Sequence, residues 1–265
     1  MRVLMIGDVV GNIGRQTLKI YLPKLKQMYS PDAIVVNGEN AAANGRGIQR
    51  AIVREWLDAG IDCVTLGNHA WGQGEVFDFI DEEAHLIRPA NFPEGTPGKG
   101  MTVLSTKGGK LAVINLMGRA YMESALDCPF RTADRLLQQL SHNTYILIDF
   151  HAETTSEKQA FAWYVDGRVS AVVGTHTHVQ TADEKILPKG TGYLTDVGMV
   201  GPYDSVIGME RTAVIKRFVT QLPVRFEVAK GRTQFNAVLF DFDKETKKAK
   251  KIKRIRIDDD MPLIG

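Results

Sequence analysis

With 265 residues and a formal net charge of +2, the chain is long enough to bury a sizeable core unaided, and too evenly charged to imply a polyanionic partner by itself. Its two cysteines argue against a disulfide framework. Cys63 sits in an apolar run and Cys128 precedes Pro129, the usage of unpaired thiols in a reducing compartment, so the cytoplasm is the expected location. No apolar run approaches the roughly 20 residues of a membrane-crossing helix, and Met1 to Asp8 meets an acid and glycines before any cleavage-like site.

Arg2 to Gly7 reads as a short strand ending at Asp8, followed by a loop through Gly11 and Gly14. A helix follows from Arg15 to Met28, with Leu18, Leu22 and Leu25 on one face and a break expected near Pro23. The glycine spacing fits neither a dinucleotide nor a phosphate-loop fingerprint, so nucleotide cradling is discarded. Ala33 to Val36 forms a second strand that ends in Asn37-Gly38-Glu39-Asn40, and a helix over 48–59 leads to a third strand, Ile61 to Leu66, ending in Gly67-Asn68-His69. Strand, polar strand end, helix and strand at such intervals is the pattern of βαβ units around a parallel sheet.

A helix at Val76 to Glu83 and a Pro/Gly-rich loop from Arg88 to Gly100 come next, then a hairpin with a Gly108-Gly109 turn between 101–106 and 111–116. Phe130 to Leu140 is amphipathic, and Tyr145 to Phe150 is a buried strand running into His151. Arg168 to Val173 is another, running into Gly174-Thr175-His176-Thr177-His178, where two imidazoles two residues apart in extended chain face the same side. They could bind one ion together or two separately. Asp196 to Gly208 reads as a long loop and a candidate rim, Glu210 to Val219 as a helix, and Arg225 to Asp243 as two strands around Lys230-Gly231. The last segment, Lys244 to Arg256, carries eight basic residues. With no interleaved aromatics it reads as a lysine-protected edge strand in preference to a nucleic-acid patch.

Asp8, Glu39, Asn40, Asn68, His151, His176 and His178 thus all fall at strand ends, where open α/β sheets bind ligands. Carboxylate, amide and imidazole without thiolate suit iron, manganese or zinc. Seven donors exceed the needs of one ion. Two ions sharing one carboxylate would use them, an arrangement suited to in-line phosphoryl displacement.

Strand-Asp8, Gly38-Glu39-Asn40, Gly67-Asn68-His69, His151 and Gly174-Thr175-His176-Thr177-His178 resemble, in order and placement, the five blocks of the calcineurin-like metallophosphoesterases. Asp8-Val9-Val10 lacks the usual histidine, Gly38-Glu39-Asn40 replaces Gly-Asp-x-x-Asp, and Ala70 stands where an acid is usual; with Asp196-Val197-Gly198, these features are similar to the bacterial YmdB-type branch over nearly the whole chain. The resemblance implies one metallophosphoesterase domain over 1–265, an α/β fold of the calcineurin-like four-layer α/β/β/α type with mixed, largely parallel sheets. It implies that Glu39 bridges two transition-metal ions, iron or else manganese, with Asp8, Asn40 and His178 on the first and Asn68, His151 and His176 on the second. His69 would be the general acid. The implied activity is phosphodiester hydrolysis, with 2',3'-cyclic nucleotides or RNA-end phosphates as substrates and a hydroxide activated by the two ions as nucleophile. A phosphomonoesterase, or a regulatory RNA-binding protein with a structural metal centre, are the alternatives, and homo-oligomer formation stays open.

Overall fold

Runs of β-branched residues that are apolar on both faces can be satisfied only by covering both faces, and the computed structural model, which describes residues 1–122 and 125–263, does so. The elements in chain order are β1 (Arg2–Ile6), β2 (Asp8–Val9), α1 (Gly11–Tyr29), β3 (Ala33–Asn37), α2 (Arg50–Asp58), β4 (Cys63–Thr65), β5 (Leu86–Ile87), β6 (Met101–Thr106) and β7 (Gly109–Met117). There follow α3 (Pro129–Leu137), β8 (Tyr145–His151), α4 (Thr155–Val165), β9 (Ala171–Thr175), β10 (Lys185–Ile186), β11 (Gly192–Leu194), β12 (Met199–Pro202), α5 (Arg211–Thr220), β13 (Thr233–Phe242) and β14 (Ala249–Ile257). One sheet has the order β2-β12-β13-β1-β3-β4-β5 with β14 on β13; the other runs β10-β11-β9-β8-β7-β6. In the first, β1, β3, β4 and β5 are parallel; in the second, β7, β8, β9 and β11 are.

Alternation along each strand builds three apolar layers. Val3, Met5, Val35 and Phe240 of the first sheet face Leu111, Val113, Leu147 and Val173 of the second. On the outer side of the first sheet, Leu4, Ile6, Ile34 and Val36 pack with Leu18, Leu22 and Leu25 of α1 and Trp56 of α2. Outside the second, Ile114, Ile148 and Phe150 meet Phe161 and Val165 of α4 and Ala133 of α3. This is the expected α/β/β/α sandwich. Cys63 is buried and Cys128 half-buried, both as free thiols, and among the described residues no helix is long and apolar enough to cross a membrane.

Several local expectations are corrected. Helix α1 starts at Gly11 and runs through Pro23 without a break. Proline forfeits one bond, to Lys19 four residues back, and both residues lie at the exposed face where water reaches the carbonyl. Val76 to Glu83 is a 3-10 turn over Gly74–Asp78 and further turns instead of a helix, because burying Val76, Phe79 and Ile80 together takes precedence over helical propensity. The hairpin turns at Lys107-Gly108, since Gly109 already pairs with Thr106. The segment after Asp196 contains β12, which pairs with both β2 and β13, so it is part of the sheet. Residues 225–232 form no strand; their β-type pairing is the isolated bridge of Met209 with Val228. Among the described residues the basic C-terminal strand β14 pairs only with β13, and Lys250, Arg254 and Arg256 have acidic partners in Asp243, Glu184 and Asp258.

Candidate metal centre

The carboxyl ends of β3, β4, β8 and β9 lie at one edge of the sandwich, with Asn37 beside Thr65 and His151 beside Thr175 in the ladders. Every side chain singled out in the sequence is brought to this edge. The donor atoms of Glu39, His151 and His176 fall within 4.8 Å of one another, as do those of Asp8, Glu39 and His178. Glu39 is common to both groups. Asn68 Oδ1 lies 2.8 Å from His151 Nε2, and Asn40 Oδ1 lies 3.2 Å from His178 Nε2.

Hydrogen bonds on the far side of each ring assign the tautomers. Thr175 Oγ1 donates to Asp149 Oδ1 at 2.7 Å, so His151 Nδ1 donates to Thr175 Oγ1 at 2.9 Å and the His151 Nε2 lone pair is free. His176 Nε2 sits 3.0 Å from Glu153 Oε2, leaving Nδ1 as the lone-pair atom, 3.0 Å from His151 Nε2. His178 Nδ1 donates to the Ile207 carbonyl at 2.8 Å, which turns Nε2 inward. Asn40 Nδ2 donates to the Gly45 carbonyl at 3.0 Å, which likewise turns Oδ1 inward. The outcome is that His151 Nε2, His176 Nδ1 and Asn68 Oδ1 crowd together as acceptors, as do His178 Nε2 and Asn40 Oδ1, with no donor among these five atoms. Lone pairs so crowded repel unless a cation sits among them. Asp8 Oδ1 makes the same point, being buried with no hydrogen-bond partner. The donor set therefore fits two transition-metal ions, and the outer partners are those that orient metal-bound imidazoles.

The electrostatics agree with this geometry. Burial and the neighbouring charges of Asp196, Glu39 and Asp149 push the Asp8 carboxyl well above its ordinary range. Burial acts on Glu39 in the same direction, but the His69 ring and backbone N–H, which hydrogen-bond the carboxylate, help to hold it ionised below its usual range. Burial pushes His151 and His178 down, which keeps them neutral with a lone pair to offer.

His69 belongs to neither cluster. Its backbone N–H donates to Glu39 Oε2 at 3.0 Å, its Nδ1 lies 3.2 Å from Glu39 Oε1 and 3.0 Å from Asn40 Nδ2, and its side chain is half-buried. Nε2 is thus left for whatever enters the cavity of about 900 Å³ that His69 lines with His176, His178 and Glu39. Gly67 stands where its own Cβ would overlap the Glu39 carboxylate and the His151 ring, a close approach that glycine permits.

One expectation about this edge is corrected. His176 and His178 do not share an extended strand face: β9 ends at Thr175, and both histidines take left-handed backbone, φ 98° and 65°. This turn sends them to different clusters. Left-handed backbone at non-glycine residues costs about 1–3 kcal/mol each and persists only where the surroundings enforce it. Here Asp196 Oδ2 accepts from Thr177 N at 3.1 Å and Thr177 Oγ1 at 2.7 Å, and is itself paired with buried Lys158 Nζ at 2.7 Å. Removing Lys158 strands a buried carboxylate, for which about 3 kcal/mol is expected. Urea unfolding of Lys158→Met checks this, and an unchanged midpoint would refute the brace.

Glu153, Thr175 and Lys158 were not foreseen, because the contacts that matter are tertiary. Asp149 carried a signal, an acid inside an apolar strand. It accepts from Thr175, Thr65 Oγ1 at 2.5 Å and Asn37 Nδ2 at 3.2 Å, linking the two sheets beneath the centre, and burial pushes it up to about 6.

A helix-flanked double sheet that gathers such donors at one strand-end edge defines a calcineurin-like metallophosphoesterase. The chain belongs to the YmdB-like protein family, whose model it matches over residues 4–255. It is 58% identical, over 98% of both chains, to the 2',3'-cyclic-nucleotide 2'-phosphodiesterase of Bacillus subtilis (strain 168). Among solved structures it is similar to a hypothetical protein from Thermus thermophilus (TM-score 0.91, 45% identity, 97% of this chain and 99% of that one). It is similar too to a novel phosphatase from Mycoplasma pneumoniae (TM-score 0.92, 37% identity, 97% and 93%). The protein is accordingly an enzyme that hydrolyses phosphoesters, of a family that works with divalent metal ions on small phosphorylated substrates.

Proposed function

We propose that this enzyme opens 2',3'-cyclic ribonucleotides by hydrolysing one phosphodiester bond. Asp8, Asn40 and His178 would hold one ion, Asn68, His151 and His176 the other, and Glu39 both. The single observation that carries this reading is the pair of acceptor clusters meeting at Glu39 beside an open cavity. When bound, two such ions supply Lewis acidity at the phosphoryl oxygens and lower the pKa of water. Iron, with manganese next, matches oxygen and nitrogen donors without thiolate. The two free thiols support a cytoplasmic setting.

In this reading a water oxygen attacks phosphorus in line with the departing ribose oxygen. The P–O bond to that ribose oxygen breaks, His69 Nε2 supplies the proton the oxygen needs, and the proton given up by the attacking water passes to solvent, from which His69 is reprotonated. Glu39, hydrogen-bonded to His69 through both the ring and the backbone, keeps that ring directed at the cavity. The name of the Bacillus subtilis relative supports the choice of substrate.

Incubating the purified protein with a 2',3'-cyclic mononucleotide and following products by phosphorus NMR tests the proposal. A single phosphomonoester product, suppressed by chelator, is expected. Inertness toward cyclic nucleotides together with fast hydrolysis of nucleoside monophosphates would replace it with a phosphomonoesterase.

A further inference from the structure

The cavity beside the metal clusters has two unlike walls. One is polar, with Asn44 and Arg46 from the loop after β3; the other is apolar, with Ile207, Met209, Val224 and Phe226 from the segments on either side of α5. The walls meet at Gly45, where an added Cβ would lie 3.0 Å from Met209 Cε and from Val228 Cγ2. Phe226 is 37% exposed, and no aromatic ring stacks on it among the described residues. Arg46 has no acidic partner among them. Phe226 thus lines the cavity beside the metal clusters as a partly exposed ring on which no other ring stacks among the described residues.

We propose that Phe226, with Val224 beside it, is the platform on which the heterocyclic base of the substrate stacks. The inference rests on the cyclic-nucleotide reading above and makes it specific. Two features support it besides exposure. The segment bearing Phe226 is anchored to the centre itself: Glu210 N donates to the Glu227 carbonyl at 2.9 Å and Ala229 N to the Gly208 carbonyl at 3.0 Å. In the same turn, Ile207 accepts from His178. The platform is therefore held at a fixed offset from the cluster that would take the phosphate, which lowers the ordering cost of binding. The cavity, about 900 Å³, also falls in the range of small-molecule sites, which combine apolar walls with a few polar groups. Every base offers a π face, so a stacking platform selects nucleosides over bare sugar phosphates without choosing among bases.

The test compares a nucleoside 2',3'-cyclic phosphate with methyl riboside 2',3'-cyclic phosphate, which lacks the base, on wild type, Phe226→Ala and Phe226→Trp. Wild type is expected to prefer the nucleotide. Phe226→Ala should raise KM for the nucleotide by roughly 5- to 100-fold with kcat little changed, leaving the baseless substrate unaffected, while Phe226→Trp keeps the preference. Equal effects on both substrates, or none on either, would overturn the platform. Calorimetric binding of a nucleoside 3'-monophosphate to the same variants separates this inference from the reaction on which it rests. Absence of turnover in wild type with Phe226-dependent binding defeats the proposed reaction and supports the platform; turnover with Phe226-independent binding does the reverse.

Discussion

Glu39→Gln is expected to reduce phosphodiester hydrolysis by on the order of 10³-fold or more and to lower metal occupancy, while leaving the fold intact. The side chain is 1% exposed and stands between the two acceptor clusters, 3.3 Å from His151 Nε2 through one oxygen and 3.2 Å from His69 Nδ1 through the other. Hydrogen bonds from the His69 ring and backbone N–H help to maintain its charge against burial. Gln keeps the size and shape but replaces an acceptor by an NH₂ donor and withdraws the one charge both clusters share. Lewis-acid stabilisation of a phosphoryl transition state amounts to several kcal/mol, and each 1.36 kcal/mol is tenfold in rate, which sets the magnitude. Steady-state rates, metal analysis and circular dichroism on one preparation measure all three parts. A near-normal rate would show that the shared ligand is some other residue.

His69→Ala separates three roles that adjacency to Asn68 confuses. Asn68 Oδ1 turns to His151, whereas His69 turns to Glu39 and the cavity. General acid catalysis contributes about 10² to 10⁴ in rate, and the need for it falls as the leaving group becomes a weaker base. The variant is therefore expected to keep both ions, to lose about that factor on a ribose cyclic phosphate, and to lose far less on an aryl phosphodiester. Equal losses on both substrates with full metal content would remove His69 from the proton-donor role. A missing ion would instead make it a ligand.

Much of this edge was legible in the sequence because a buried parallel strand announces itself twice, in its β-branched run and in the polar residues where it stops. The apolar runs 33–36, 61–66 and 145–150 end in Glu39-Asn40, Asn68-His69 and His151 for that reason, and a parallel sheet obliges those ends to meet. What the sequence concealed was set by tertiary contact. Gly11 and Gly14 read as loop residues, yet they begin a helix, and Gly14 is where α1 presses on the Val200 carbonyl. Gly198 and Gly201 hid β12, whose pairing with β2 carries Asp8 into the site. The left-handed turn at His176 and His178 could not be foreseen from spacing, since it is enforced by Asp196 and Lys158 from distant segments. Glu153 is half-exposed and becomes informative only once His176 is seen beside it.

The centre itself is tested most directly by counting ions. Protein purified without chelator should be analysed by inductively coupled plasma mass spectrometry, with hydrolysis of a cyclic nucleotide measured on the same sample before and after chelation. Close to two transition-metal ions per chain in the active sample is the expected result, with activity lost as they are removed and regained as they are returned. Full activity with one ion or none would contradict the two-ion centre at Glu39.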